Sequence, residues 1–198
     1  KKKGCVIILS GGKSERMKFP KPYLTIKGKT FVEKIIDEYR IAEVQEIILV
    51  MNKDFCDREW EDKLTKVLPV CKLVINSHPE EGRLYSLKLG IEKITIPGYC
   101  YIQQVDNPFV TKSVIDALWE NRRLDGFVSP TFNGKGGHPV LLPEKIIKYI
   151  QLMLDAEVTL KEVLKKFTRY EMLMSDDCIL RNINTPEDYF QLANETVT

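Results

Sequence analysis

The 198-residue sequence predicts a three-layer α/β fold, in which helices cover both faces of a mostly parallel sheet. Short apolar runs rich in β-branched residues alternate with amphipathic stretches that repeat with the period of a helix. The apolar runs lack the polar alternation of a half-exposed strand, which indicates strands buried on both faces. No repeat, low-complexity tract or linker interrupts this pattern, and we therefore expect residues 1–198 to form one domain.

Strands and helices alternate regularly in the first half of the chain. The first predicted strand, Cys5–Leu9, is short and apolar. Thr30 followed by Glu33 is a capping-box signature, and apolar residues at helical spacing continue from it. Further strands are predicted at Glu46–Met51, Cys71–Ile75 and Tyr99–Val105. Helices are predicted between them at Asp54–Leu68 and Leu84–Ile94.

The second half of the chain is less regular. Thr111–Asn121 has a helical pattern, and Pro186 marks the start of a last helix that runs to Ala193. The remaining helices are predicted at Glu144–Leu154 and Leu160–Phe167. Strands are predicted at Gly126–Phe132, Val140–Leu142 and Tyr170–Met174, and a glycine-rich loop at Asn133–Gly137.

Composition argues against several classes of protein. The net charge is only +2, which argues against a broadly basic nucleic-acid binder. No apolar run approaches the roughly 20 residues of a membrane span, and the five dispersed cysteines contain no C-x-x-C pair. We expect a cytoplasmic protein that binds neither nucleic acid nor a membrane. Residues 1–28 nevertheless hold eight basic residues and one acid, which predicts a compact anion site around the first strand and its loop.

The loop after the first strand combines glycines with cationic side chains. Because ligands bind at the carboxyl ends of parallel strands, this loop is a candidate site. Gly11 and Gly12 let the backbone approach a ligand, while Lys13, Arg16 and Lys21 supply donors suited to a polyphosphate. Neither a P-loop nor a Rossmann G-x-G-x-x-G is present, and a solvated basic turn is the alternative interpretation.

Three further segments carry candidate ligands. Asp106 ends the fourth predicted strand, where a carboxylate is placed to bind Mg²⁺ together with substrate phosphates, and an Asx turn before Pro108 is the alternative. Asn182 and Asn184 offer an amide oxygen to the same metal, although capping of the last helix is the favoured interpretation. His138, one of two histidines, is interpreted as structural rather than as a catalytic base.

Four motifs follow one another along the chain. They are Leu9-Ser10-Gly11-Gly12-x-Ser14-x-Arg16-Met17 with Lys21, Asp106-x-Pro108, Gly137-His138-Pro139-Val140 and Asn184-Thr185-Pro186-Glu187-Asp188. In this order and spacing they resemble the MobA-like NTP-transferase family, which includes the nucleotidyltransferases that mature the molybdenum cofactor. The resemblance extends from Cys5 to about Leu192.

The resemblance implies a Rossmann-like nucleotide-diphospho-sugar transferase fold and a magnesium-dependent reaction. In that reaction a phosphate of a small-molecule acceptor attacks the α-phosphorus of an NTP, and pyrophosphate leaves. Since the attacking phosphate is already ionised at neutral pH, no general base is required. The acceptor implied is molybdopterin or the molybdenum cofactor, with a transient contact to a molybdoenzyme or its chaperone. We expect a monomer or a weak dimer.

The family's functional positions can be carried over to this chain. The catalytic residues would be Arg16, Lys21 and Asp106. The nucleotide-binding residues would be Leu9, Ser10, Gly11, Gly12, Lys13, Arg16 and Lys21. The metal ligands would be Asp106 and Asn184. The acceptor would contact Gly82, Arg83, Ser86 and His138.

The motifs leave the nucleotide open between CTP and GTP. Ser10-Gly11-Gly12 and the paired asparagines resemble the guanylyl branch of the family. Gly137-His138-Pro139-Val140 and the pattern Gly82-x-x-x-Ser86-Leu87 resemble the cytidylyl branch, which is slightly favoured. Arg83 and Tyr85 depart from that pattern, so the acceptor is also open.

Functions outside the molybdenum-cofactor branches are alternatives. A sugar- or alcohol-phosphate nucleotidyltransferase would use the same chemistry. A GT-A-type glycosyltransferase usually carries Asp-x-Asp where this chain has Asp106-Asn107-Pro108, which argues against that class. A catalytically silent nucleotide-binding module would not need Arg16, Lys21 and Asp106 together.

Overall fold

A central sheet of eight strands runs through the computed structural model, which describes residues 3–154 and 158–195. The described strands are β1 (Lys3–Ser10), β2 (Thr25–Ile26), β3 (Lys29–Thr30), β4 (Val44–Asn52), β5 (Lys72–Asn76), β6 (Cys100–Gln104), β7 (Gly126–Phe132), β8 (Lys135–Gly136), β9 (Val140–Leu142) and β10 (Thr168–Leu173). The described α-helices are α1 (Phe31–Ile41), α2 (Glu61–Leu64), α3 (Gly82–Ile91), α4 (Lys112–Glu120), α5 (Glu144–Leu152), α6 (Leu160–Leu164) and α7 (Pro186–Glu195).

The sheet is mostly parallel, which confirms the predicted fold class. Its strands lie in the order β5-β4-β1-β6-β9-β7-β10, and β8 pairs with β7. The pairs β5–β4, β4–β1, β1–β6 and β7–β10 are parallel. Strand β9 is antiparallel to both of its neighbours, β6 and β7. Strands β2 and β3 form a separate antiparallel hairpin.

Helices pack on both faces of this sheet, and β1 is therefore buried on both sides. All eight residues of β1 are buried. Val6 and Ile8 belong to one apolar cluster, which includes the buried residues of α1 and α4. Cys5, Ile7 and Leu9 belong to a second cluster, which includes residues of α3 and α5. The two clusters are the two cores of a three-layer arrangement.

Helix α1 begins where the capping-box signature predicts. Thr30 Oγ1 accepts a hydrogen bond from Glu33 N at 3.2 Å, and Glu33 Oε2 accepts one from Thr30 N at 2.8 Å. These bonds satisfy two amides that have no partner within the helix. None of the described helices is both long and apolar enough to cross a membrane.

The predicted helix Asp54–Leu68 is largely wrong, since only Glu61–Leu64 is α-helical. Asn52 Oδ1 accepts from Asp54 N at 3.0 Å and starts a 3₁₀ turn instead. The hydroxyl of Tyr23 donates to the carbonyl of Phe55, which takes this acceptor away from a continuing helix. The predicted loop Asn133–Gly137 contains β8, and the β2–β3 hairpin was not predicted.

Glu46 is a buried carboxylate that attaches β4 to the segment before β6. Its oxygens accept hydrogen bonds from the amide and hydroxyl of Thr95, from the amide of Ile96 and from Lys72 Nζ. Burial alone would raise the pKa of this carboxyl, but the hydrogen bonds from Lys72 and Thr95 outweigh burial and lower the pKa below its ordinary value. A lowered pKa contributes stability above the ordinary pKa of Glu, and that stability is lost as the pH falls through the folded-state pKa.

We expect Glu46→Gln to lower the free energy of unfolding by about 1–2 kcal/mol at neutral pH, because the charge-assisted bonds weaken. The difference from wild type should shrink below about pH 4, where the wild-type carboxyl also becomes neutral. Urea unfolding at neutral and at acidic pH measures both effects, with the exposed Glu59→Gln as a control. An equal loss at both pH values would contradict this assignment.

Candidate active site

The carboxyl ends of β1 and β6 lie side by side where the connections of the sheet reverse direction. From β1 the chain passes through α1 to β4 on one side, and from β5 it returns through α3 to β6 on the other. Val105 N donates to Leu9 O at 3.2 Å, which joins the two loops that follow these strands. A switch point of this kind opens a crevice in which α/β proteins bind ligands.

Most of the predicted nucleotide-binding residues line this crevice. Its walls are Leu9, Ser10, Gly11, Gly12, Ser14, Lys21, Pro79, Gly82, Arg83, Ser86, Gln104, Val105 and Asp106. Ser10 Oγ is buried and has no hydrogen-bond partner among the described residues. A buried hydroxyl without a partner carries a desolvation cost that a bound ligand can relieve.

The sequence did not identify two asparagines whose side chains contact the backbone of the glycine loop at Gly11 and Gly12. Asn76 Nδ2 lies 3.5 Å from Gly11 O and donates to Ser86 Oγ at 3.0 Å. Asn52 Nδ2 donates to Gly12 O at 3.3 Å. Asn52 is the last residue of β4 and Asn76 is the last residue of β5, the strand at the edge of the sheet. An amide at the carboxyl end of an apolar run was the sequence signal for this role.

The two glycines of the loop have different surroundings. A Cβ on Gly11 would lie 2.3 Å from Ser86 Oγ and 2.9 Å from Asn76 Nδ2, so the loop and α3 approach too closely for any side chain. A Cβ on Gly12 would meet nothing within 4 Å. Gly11 therefore determines how the loop packs, while Gly12 faces open space.

Lys21 carries the cation nearest to the centre of the crevice. Its Nζ donates to Asn184 Oδ1 at 2.7 Å and lies 3.9 Å from Asp106 Oδ2, and its side chain is only 13% exposed. Burial lowers the pKa of Lys21, and the nearby Arg16 and Arg83 lower it further, against the opposing effect of Asp106. The ammonium thus lies between the two residues that were predicted as metal ligands.

Asp106 is held by the segment that precedes α7. The carbonyl of Asp106 accepts from Ile183 N at 2.7 Å. Asn107 Nδ2 donates to the carbonyls of Cys178 and Arg181, at 3.1 Å each. These bonds attach the segment before α7 to the loop after β6, and Lys21 Nζ lies near both Asn184 and Asp106.

Capping of α7 does not occupy the side chain of Asn184. Thr185 Oγ1 accepts from Asp188 N at 3.2 Å, and Asp188 Oδ2 accepts from the amides of Asn184 and Thr185 at 2.9 and 2.8 Å. The Asn184 side chain reaches Lys21, whereas Asn182 Oδ1 lies 3.5 Å from Asn107 Nδ2. Capping is therefore the role of Thr185 and Asp188, and Asn184 is the asparagine whose side chain contacts Lys21 of the crevice wall.

Lys13 and Arg16 lie at the mouth of the crevice. Both are exposed, and they border an adjoining depression with Ser14, Lys21 and Glu80. Lys13 Nζ lies 3.8 Å from Glu15 Oε1. The charge of Arg16 lowers the pKa of both Lys21 and Asp188, so it acts on the same site.

The expectation that the N-terminal cations surround the site is wrong for Lys3. Lys3 Nζ donates to Ala42 O and to Asp116 Oδ1. Lys3 begins β1 and the crevice lies beyond its other end, roughly 23 Å away along an eight-residue strand. Lys1 and Lys2 lie outside the described residues.

The predicted acceptor residues border two connected clefts. Gly82 and Arg83 line the crevice and also a larger cleft beside it, and Arg83 Nη2 lies 3.9 Å from Asp106 Oδ2. Ser86 lies beneath the glycine loop. His138 lines the larger cleft, its Nδ1 is buried without a described partner, and burial lowers its pKa.

A glycine loop and a group of cations, of which Lys21 is largely buried, at the switch point of a mostly parallel sheet define a Rossmann-like protein of the nucleotide-binding type. The chain belongs to the MobA-like NTP transferase family, because the model of that domain matches residues 6–172. It is therefore a nucleotidyltransferase-type protein, as the motif order predicts.

Two curated relatives and one solved structure illustrate how similar this chain is to known proteins. A probable molybdenum cofactor guanylyltransferase of Natranaerobius thermophilus is 27% identical over 93% of this chain and 92% of its own length. A 2-C-methyl-D-erythritol 4-phosphate cytidylyltransferase of Lachnospira eligens is 30% identical over 58% of this chain, and the match spans about half (51%) of that enzyme. Rv0371c of Mycobacterium tuberculosis, solved as a manganese complex, matches with TM-score 0.78, 16% identity and 98% of each chain, which shows the fold.

We expect Gly11→Ala to impair folding or nucleotide binding, since the overpacking against Ser86 costs about 1–3 kcal/mol. Gly12→Ala is the matched control for folding and should unfold like wild type, because a methyl group there meets no protein atom within 4 Å. Thermal unfolding measures the difference between the two variants. Ser86→Ala in the Gly11→Ala background should recover part of the loss, and equal effects of the two glycine substitutions would contradict this packing.

Proposed function

We propose that residues 1–198 form one nucleotidyltransferase domain that transfers NMP from an NTP, with CTP slightly favoured, to the phosphate of a small-molecule acceptor of the molybdopterin or molybdenum-cofactor type. The observation that carries the proposal is the convergence of Lys21, Asp106 and Asn184 at the switch-point crevice. The proposal includes a cytoplasmic location.

The buried ammonium of Lys21 is suited to stabilise charge on the triphosphate. Its side chain is largely shielded from solvent, where electrostatic interactions are stronger than in water. Arg16 adds a second cation at the mouth, and the amides of Gly11 and Gly12 leave room for a close ligand. As pyrophosphate leaves, these groups stabilise the negative charge that develops on it. Positioning and charge neutralisation are what nucleotidyl transfer requires.

The donor set at Asp106 and Asn184 fits a hard divalent cation. Their side-chain oxygens both face the ammonium of Lys21, at 3.9 and 2.7 Å. Mg²⁺ uses few protein carboxylates and completes its shell with phosphates and water, so one carboxylate and one amide oxygen are a suitable protein donor set. When bound, the ion would neutralise phosphate charge. Lys21 would then turn from Asn184 to the phosphates.

GTP is the second candidate nucleotide. The guanylyltransferase relative from Natranaerobius thermophilus matches nearly the whole chain, whereas the cytidylyltransferase from Lachnospira eligens matches only 58% of it. Ser86 beneath Gly11 supports CTP, since it belongs to the segment Gly82-x-x-x-Ser86-Leu87, which resembles the cytidylyl branch.

A pyrophosphate-release assay tests the proposed function. The four NTPs are compared in the presence of Mg²⁺, with and without molybdenum cofactor as the acceptor. We expect release with CTP that depends on the acceptor. Release with GTP alone would support the second candidate, and no release with any NTP would contradict the proposal.

Asp106→Asn should reduce pyrophosphate release by about 10²- to 10³-fold, because a positioned charge at the reacting phosphates is lost. The substitution keeps the size of the side chain and the backbone bond to Ile183, so thermal unfolding should be close to wild type. Unchanged turnover in a folded variant would remove Asp106 from the site.

Lys21→Met should weaken triphosphate affinity by about 1.5–3 kcal/mol, the usual size of a charge-assisted contact. The matched control is Lys18→Met, an exposed lysine of the same loop. Titration of both variants with a nonhydrolysable NTP measures the effect. Wild-type affinity in the Lys21 variant would show that this lysine does not contact the triphosphate.

A further inference from the structure

A second cleft opens directly onto the nucleotide crevice. It encloses about 1080 Å³ and shares Gly82, Arg83 and Gln104 with the crevice. Because Arg83 also lies near Asp106, this shared edge is where an acceptor would present its attacking phosphate. The rest of the acceptor would then extend into the second cleft.

The floor of the cleft is apolar. It contains Phe127, Val140, Leu160, Leu164 and Phe167. A floor of this composition suits a flat or greasy body rather than a small polyol, since burying apolar surface is what it stabilises.

The far wall of the cleft is cationic. Lys161, Lys165 and Arg169 line this cleft but not the nucleotide crevice, and Glu81 is the one acid among its described lining residues. Two of the cations come from α6 and its C-terminal end and one from β10, so separate elements bring like charges together. Like charges gathered in a cleft favour an anionic ligand.

Arg169 packs against the β7–β8 hairpin. A Cβ on Gly136 would lie 2.5 Å from Arg169 Nη2 and 3.1 Å from its Cζ, so the guanidinium lies directly against the backbone of this glycine. Arg169 Nη2 also lies 3.4 Å from Glu171 Oε1, which holds its orientation. The planar guanidinium is suited to bind a phosphate or carboxylate through two donors.

His138 provides an independent sign of a ligand in this cleft. Its Nδ1 is buried and has no hydrogen-bond partner among the described residues, while its backbone amide donates to Ile179 O at 3.0 Å. A buried ring nitrogen without a partner is a polar group that a bound molecule can satisfy.

We infer, on the basis of the proposed function, that the acceptor carries a second anionic group, remote from the attacking phosphate, and that Arg169 with Lys161 and Lys165 binds it. The acceptor body lies over the apolar floor, its attacking phosphate meets Arg83 at the shared edge, and its second anion meets the far wall. Arg169 is then a specificity-determining residue, because it selects doubly anionic acceptors over singly anionic ones.

Calorimetric titration with two probes tests this inference without nucleotide. The probes are 2-naphthyl phosphate, with one anionic group, and naphthalene-2,6-diyl bisphosphate, with two. Wild type should bind the bisphosphate at least about tenfold more tightly than the monophosphate, the effect of one charge-assisted contact. Two variants should reduce this preference and leave the monophosphate affinity unchanged: the single variant Arg169→Gln and the double variant Lys161→Gln/Lys165→Gln.

Arg123→Gln is the matched control, because Arg123 is an exposed arginine that does not line the cleft. Its guanidinium lies 5.4 Å from the ring of Tyr170, the residue that follows Arg169. Equal affinity of wild type for the two probes would overturn the inference, as would equal losses in the Arg169 and Arg123 variants. NTP affinity is measured in parallel and should stay at the wild-type value in Arg169→Gln. If the protein prefers the bisphosphate but releases no pyrophosphate with any NTP, the proposed function is contradicted while the second anion site is retained.

Discussion

The contact between the Lys21 ammonium and Asn184 Oδ1, with Asp106 Oδ2 close by, is the interaction on which the site depends. It joins three parts of the chain: the loop after β1, the loop after β6 and the segment before α7. A buried cation is costly unless oxygens face it, so these residues stabilise one another before any ligand arrives. In the proposed function, the same charge arrangement would prepare the crevice for a triphosphate.

The sheet topology makes this contact possible. Crossovers on opposite faces separate the paths of α1 and α3, so the ends of β1 and β6 border an open crevice. The glycine loop is supported by Asn52 and Asn76, and the C-terminal segment is attached through Asn107. Buried asparagines thus hold the loops in place, while the charged side chains of Lys21 and Asp106 line the crevice.

Local signals in the sequence were sufficient for much of the fold and for part of the site. The apolar run of β1 and the capping box of α1 depend on neighbouring residues, and both predictions are confirmed. The rule for strand ends placed Lys21 and Asp106 at one crevice. The choice between Asn182 and Asn184 could not be made, because it depends on Lys21, 163 positions away. The helix predicted at Asp54–Leu68 failed for a similar reason, since a tertiary bond from Tyr23 interrupts it.

We propose that Lys21, Asp106 and Asn184 together form the centre that binds the metal and the triphosphate. Electron paramagnetic resonance of Mn²⁺ bound in the presence of a nonhydrolysable NTP tests this proposal, with Asn184→Ala compared with Asn182→Ala. We expect about tenfold weaker Mn²⁺ binding in Asn184→Ala and wild-type binding in Asn182→Ala. Equal Mn²⁺ affinities in the two variants, or a larger loss in Asn182→Ala, would contradict it.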